Sequence, residues 1–158
     1  ITHGAPMTPS EGDIALVLNQ GVTLSPAVVS TSGPFQGRQA TWSVPKVRLN
    51  DGERTTVISL YLAMMALTCL ELTGAEGPIL TEGPFSKNTL FLDLVAAASG
   101  RQVMSSTGSA TGTSIGAALL AAEDTRMIAN HSPHPSPRGA YRDDLIRYAE
   151  RWRVLASS

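Results

Sequence analysis

Cysteine is nearly absent: the 158 residues contain one, Cys69. A single cysteine excludes an intramolecular disulfide and any multi-cysteine metal site, and it points to a reduced, cytoplasmic setting. Cys69 falls within an apolar helical run, where the expected role is a small buried residue rather than a reactive thiol. An excess of either charge is also lacking. Twelve Lys and Arg against thirteen Asp and Glu leave a formal net charge of −1, so nothing electrostatic favours a nucleic acid or an anionic membrane as partner. Long apolar runs are missing too. The longest, residues 57–72, is interrupted by Ser59, Thr68 and Glu71 and falls short of the roughly 20 residues of a membrane span. It reads as a buried helix. No charged n-region followed by an apolar segment opens the chain, and no internal repeat is found. The first residue is Ile1 rather than Met, which fits a processed product, a fragment or the ordered part of something longer.

What remains is 42% hydrophobic and 16% charged, enough apolar material for the core of one domain over residues 1–158. The N-terminal third carries short β-branched runs punctuated by Gly and Pro: "DIALVLNQG", "LSPAVVSTSGPFQGR" and "TWSVPKVRLNDG". They predict an antiparallel meander with long loops. From residue 53 to 72 the period changes, with Val57, Leu60, Tyr61, Met64, Leu67 and Leu70 at helical spacing. Asn50 or Asp51 stands at the cap position and Gly74 at the stop. A compact alternation follows. "GPILTEG" is strand-like, and "SKNTLFLDLVAAASG" is an amphipathic helix ended by Gly100. "RQVMSS" is strand-like, and "GTSIGAALLAAEDTRM" is a small-residue helix. Strand, helix, strand, helix in this order implies an α/β fold with parallel strands and right-handed crossovers. Residues 131–139, "HSPHPSPRG", are rich enough in Pro and Ser to read as an exposed loop. "YRDDLIRYAERWRVL" predicts a C-terminal helix burying Leu145, Ile146, Ala149, Trp152 and Leu155.

Two loops carry candidate chemistry. In "ILTEGPFSKN", residues 79–88, a strand breaks near Glu82 into a Gly-Pro loop and then a helix start at Ser86 or Asn88. Gly83 allows another molecule close to the backbone, and Asn88 presents both an amide donor and an acceptor. A tight connection with Ser86 or Asn88 as a plain helix cap is the competing reading. In "SSTGSATGTSIGAALLA", residues 105–121, a strand runs through a Gly/Ser/Thr loop into a helix, whose start favours anionic or polar groups. No Lys follows the glycines, so this is not a Walker A loop. Gly112, Gly116, Ala117 and Ala118 also form a smooth face for close packing, and both roles stay open, since ligands in open α/β sheets settle beyond the carboxyl ends of the strands. His3, His131 and His134 lack the i, i+4 spacing of a metal pair and read as solvated loop residues. Asp143 and Asp144 read as a solvated helix start. Glu82 is either an acid at a site or a strand-end carboxylate facing water. No Ser–His–Asp arrangement follows from the spacing.

The stretch "EGPFSKNTLFLDLVAAASGRQVMSSTGSATGTSIGAALLA" resembles the C-terminal domain of the FGGY family of carbohydrate kinases. A glycine-containing loop, a helix-start Asn, a strand and a "G-AALLA" helix recur there in this order. Upstream, "SGPFQGR...W" and "SLYLAMMALTCLELTGA" resemble the segment preceding that motif in a pentulose-kinase-like branch, so the resemblance covers most of residues 24–123. It implies an actin-like (ribonuclease H-like) ATPase domain, with the N-terminal antiparallel strands followed by strand-helix-strand-helix and a C-terminal helix. It further implies that two domains close around ATP and a sugar, this one on the adenosine side. Carried over, Gly83, Pro84, Phe85 and Asn88 occupy the loop that contacts adenine and ribose, with Gly112 and Thr113 as further nucleotide-binding positions. Pro84 departs from the second Gly of many relatives and removes a backbone donor. Phe85 is bulky, able to stack on adenine or narrow the pocket. The Asp-x-Gly-Thr phosphate hairpin and the general-base Asp of the family belong to its first domain and have no match here; "DGERTT" at residue 51 does not fit. Mg2+ would be held mainly by that first domain, and this chain alone is expected not to catalyse phosphoryl transfer. Apolar surface left by a missing first domain would favour a homodimer.

Overall fold

The computed structural model describes residues 8–106, 117, 120 and 131–157. Its first element is a helix, α1 (Glu11–Gln20), set by a reciprocal cap. The Ser10 hydroxyl accepts the Asp13 backbone N–H at 3.2 Å, and the Asp13 carboxylate accepts the Ser10 backbone N–H at 2.9 Å. Such a box satisfies two amide donors that the first helical turn would otherwise leave unpaired. Gly21 stops the helix in the left-handed region. The strand predicted over "DIALVLNQG" is therefore a helix, because a run of Ile14, Ala15, Leu16, Val17 and Leu18 suits either state and the cap and stop decide. Of the predicted N-terminal meander the described residues keep one antiparallel bridge, Leu24 with Trp42. Ser25 N–H donates to Thr41 C=O and Ser43 N–H to Thr23 C=O, each at 2.9 Å. The third predicted strand contains a short 3-10 turn, Lys46–Arg48.

Helix α2 (Asp51–Leu72) follows a second capping box, in which Asn50 Oδ1 accepts the Glu53 N–H and the Glu53 carboxylate accepts the Asn50 N–H, both at 2.8 Å. Asn50 Nδ2 also donates to Asp13 Oδ1 at 3.0 Å, joining the starts of the two helices. They meet so closely that a Cβ on Gly52 would lie 2.2 Å from Asp13 Oδ2, so glycine permits the approach. By length and composition α2 could cross a membrane, yet it serves as the core helix, burying Val57, Leu60, Ala63, Met64 and Leu67.

Strand β1 (Ile79–Thr81) pairs in parallel with β2 (Val103–Ser106) through α3 (Thr89–Ser99), as the alternation predicts. Gly100, left-handed, ends α3. A third strand, β3 (His131–Pro133), pairs antiparallel to β2, so the three-stranded sheet is mixed, in the order β1-β2-β3. This corrects the exposed-loop reading of residues 131–139 at its start. Pairing to a distant strand, invisible in a Pro/Ser-rich stretch, organises residues 131–133, while Pro135, Ser136, Arg138 and Gly139 are exposed. The small-residue helix predicted near Thr113 lies outside the described residues except for Ala117 and Leu120, both helical and exposed.

The last helix, α4 (Gly139–Ser157), completes the four helices among the described residues. It buries Leu145, Tyr148, Ala149, Trp152 and Ala156. Leu155, predicted to be buried, is exposed, because the stripe continues from Trp152 to Ala156, one turn on. The Trp152 indole packs edge-on to Phe35 and Tyr61, and its N–H donates to Leu24 C=O at 2.8 Å. α3 packs against both α2 and α4. Cys69 is exposed rather than buried, for it lies on the flank of α2 that these neighbours leave open.

Candidate functional site

The 79–88 stretch becomes a strand, a turn and a helix start, each with a local cause. Ile79 N–H donates to Gln102 C=O at 2.8 Å, and the Ile79 and Thr81 side chains are buried. Glu82 stays extended, and Gly83 then takes φ +68, a conformation that a side chain disfavours. Among the described residues no atom beyond its two chain neighbours lies within 4 Å of where its Cβ would be, so the glycine faces open space with respect to them. Pro84 sits in the first turn of a 3-10 segment, Gly83–Lys87, where its missing N–H costs no helical bond. Ser86 Oγ donates to Gly83 C=O at 2.8 Å and tightens the turn. Asn88 caps α3: its Oδ1 accepts the Phe91 N–H at 3.0 Å, while Nδ2 donates to Ser59 Oγ on α2 at 3.0 Å. The cap expected of Asn88 is thus present, with a second bond that sets α3 against α2.

Phe85 is 40% exposed, and its ring lies 5.0 Å from that of Phe91. The two rings form one wall of a cavity of about 460 Å³, continued by Cys69 and Leu70 of α2 and by Ile79 and Leu80 of β1. Gly83, Pro84, Phe85 and Asn88 are therefore together in one turn at the carboxyl end of β1, beside the end of parallel β2. Gly112 and Thr113 lie outside the described residues, as do Thr111, Gly116, Ala118 and His3.

Two histidines do not behave as solvated loop residues. His131 Nε2 lies 3.5 Å from Glu82 Oε1, with side chains 15% and 34% exposed. The His134 ring, 9% exposed, meets Asp93 Oδ1 at 2.7 Å, and Tyr141 donates to the other carboxylate oxygen at 3.0 Å. Burial, and then the adjacent Asp93 charge, raise the Tyr141 hydroxyl well above its usual pKa, so it remains a donor. His134 N–H also donates to Val103 C=O at 2.8 Å. Asp93 thus ties the entry to α4 and the exit from β3 onto α3. Spacing gave no signal for this cluster, nor for Ser59 as partner of Asn88; a polar residue within an apolar helix was the sole hint. Among the described residues no group of three or more His, Cys, Asp or Glu side chains could hold a metal ion.

A small mixed sheet flanked by helices, with a glycine turn and a capped helix at the strand ends, defines an α/β domain of the kind found in carbohydrate kinase C-terminal domains. Over residues 2–130 the sequence matches the family model "Carbohydrate kinase FGGY, C-terminal domain", and the chain belongs to that family. Among solved structures it is similar to a carbohydrate kinase from Novosphingobium aromaticivorans, at TM-score 0.74 and 25% identity over 92% of this chain. It also shares its fold with a xylulose kinase from Rhodospirillum rubrum, at TM-score 0.56 and 12% identity over 92% of this chain. The chain spans 30% of the first and 33% of the second. Comparison with curated proteins gives no match.

Proposed function

We propose that this domain is the nucleotide-binding side of an ATP-dependent carbohydrate kinase, in which a hydroxyl of a pentulose or similar sugar attacks the γ-phosphate of ATP. The observation that carries the reading is the turn at the end of β1: Gly83, with open space among the described residues where a side chain would be, leads through Pro84 and Phe85 to the capped Asn88. Family membership supports kinase chemistry. The whole would have the actin-like arrangement, two domains closing around ATP and sugar. This chain's share is to receive adenine and ribose on Gly83, Pro84, Phe85 and Asn88, with Gly112 and Thr113 nearer the phosphates. The phosphate hairpin, the general base and the Mg2+ site belong to the first domain, so phosphoryl transfer requires both. A cytoplasmic location accompanies this reading.

One observation favours a second reading, a non-catalytic or structural module. Both ends of the Asn88 amide already serve the fold, through Phe91 and Ser59. The two readings separate in a calorimetric titration of the chain with ADP and Mg-ATP, GTP serving as control and a coupled assay over a sugar panel run alongside. Adenine-selective binding without turnover is expected. Binding unchanged in Asn88→Ala would remove that residue from the adenosine loop.

A further inference from the structure

Helix α1 and the start of α4 line a groove of about 430 Å³, within the roughly 300–1,000 Å³ of small-molecule sites. Its apolar part is a helical stripe, for Ile14, Ala15 and Leu18 fall on one face of α1. Ile14 and Leu18 pack inward against the core, whereas Ala15 is exposed. Tyr141 of α4 adds an aromatic side chain, held in place because its hydroxyl donates to Asp93 Oδ2 at 3.0 Å. The charged side chains in the lining are both acids, Glu11 and Asp144; among the described residues no Lys, Arg or His joins them. Asp144 shares its charge with the exposed Arg147, whose guanidinium bonds Oδ1. The dipole of α1 accounts for an acid in its first turn. Asp144, however, lies past the first turn of α4, where that pull has faded.

We infer that the groove between α1 and α4 is a binding site for a small organic ammonium ion. Its apolar body rests on Ile14, Ala15 and Leu18, and its charged head turns toward the Glu11 and Asp144 carboxylates and the Tyr141 ring. Carboxylates and the negative face of an aromatic ring both attract a cation. The apolar stripe favours a cation that carries hydrocarbon over a bare metal ion, and two carboxylates fall short of a metal-holding group. The groove shares no residue with the turn at Gly83 or the cavity beside it, so the site stands whether or not that turn receives adenosine.

The probe is phenethylamine, titrated calorimetrically into the chain at neutral pH and low salt, with phenethyl alcohol and hydrocinnamate as neutral and anionic counterparts on a similar frame. The amine should bind at least about tenfold more tightly than the alcohol. Hydrocinnamate should give no binding heat, and added salt should weaken the amine alone. In a Glu11→Gln/Asp144→Asn double variant that melts cooperatively, the amine should fall to the affinity of the alcohol. Ala15→Arg replaces an exposed side chain, so it leaves the core intact while setting bulk and positive charge in the groove. Amine and alcohol should then both be lost, and this variant decides the matter should the double variant not fold. Absence of binding at millimolar amine, equal affinity for amine and alcohol, or amine binding that survives Ala15→Arg each overturns the inference. Concentration-dependent association of the chain that Ala15→Arg abolishes overturns it too, and assigns the groove to a second copy.

Discussion

Helices α3 and α4 hold their places in opposite ways. Seven of the eleven residues of α3 are buried, on nearly every side, and its one acidic side chain, Asp93, is spent on His134 and Tyr141. In α4 five of nineteen residues are buried, along a single stripe, and the largest of them, Trp152, also bonds Leu24 C=O. A helix enclosed on all sides is positioned by many small contacts, whereas a helix laid on the surface depends on an anchor. The candidate loop leads into the enclosed helix, so it stands on the more deeply buried of the two.

The contrast breaks most visibly at the anchor. Trp152→Ala should destabilise the domain by about 3–5 kcal/mol, read from urea unfolding, since it opens a cavity and orphans the Leu24 carbonyl. If a single truncation in α3, such as Leu94→Ala, costs more than this, α4 is not held by one residue. Next, Asp93→Ala should cost about 1–3 kcal/mol, because it leaves the nearly buried His134 and the half-buried Tyr141 without their acceptor. Increased hydrogen exchange should then appear in β3 before α3, and the reverse order would place the tie elsewhere. Asn88→Ala should cost about 1 kcal/mol through the lost cap, with α3 otherwise intact by circular dichroism. The smallest effect is expected at Asp13, in the first turn of α1. Hydrogen bonds from the Ser10 side chain, Asn50 and the Ser10 backbone hold its carboxyl below the usual 3.8. Its contribution is therefore present above that value and lost as pH falls through the lowered one. Asp13→Asn should flatten the acid limb of the stability curve; an unaltered limb would show that the box contributes nothing there.

Legibility followed the range of the interactions. α2, α3, β1 and β2 were readable because their signals are local: Asn50 with Glu53, the stops at Gly74 and Gly100, and apolar positions at helical spacing. α1 was misread although its signals are equally local. Ser10, Asp13 and Gly21 mark a start and a stop, while the five-residue aliphatic run between them suits a strand as well as a helix. β3 was not readable, since nothing in "HSP" states that Ser106 pairs with His131. The same limit applies to the site. Gly83 and Asn88 stand out in the sequence, while the Ser59 that orients Asn88 lies 29 positions away. Leu155 is apolar yet exposed, because the packed stripe runs through Tyr148 and Ala156.

The hydrogen bond from Trp152 to Leu24 joins residues 128 positions apart. On the ribosome, Leu24 emerges long before residue 152 is made, at synthesis rates of roughly 5–20 residues per second. For several seconds of translation the early helices have no Trp152 to close over them, and the apolar faces of α2 and α3 are left uncovered on that side. Exposed apolar surface of this kind is what makes a nascent chain prone to aggregate, and shielding those faces until α4 arrives would favour the folded protein.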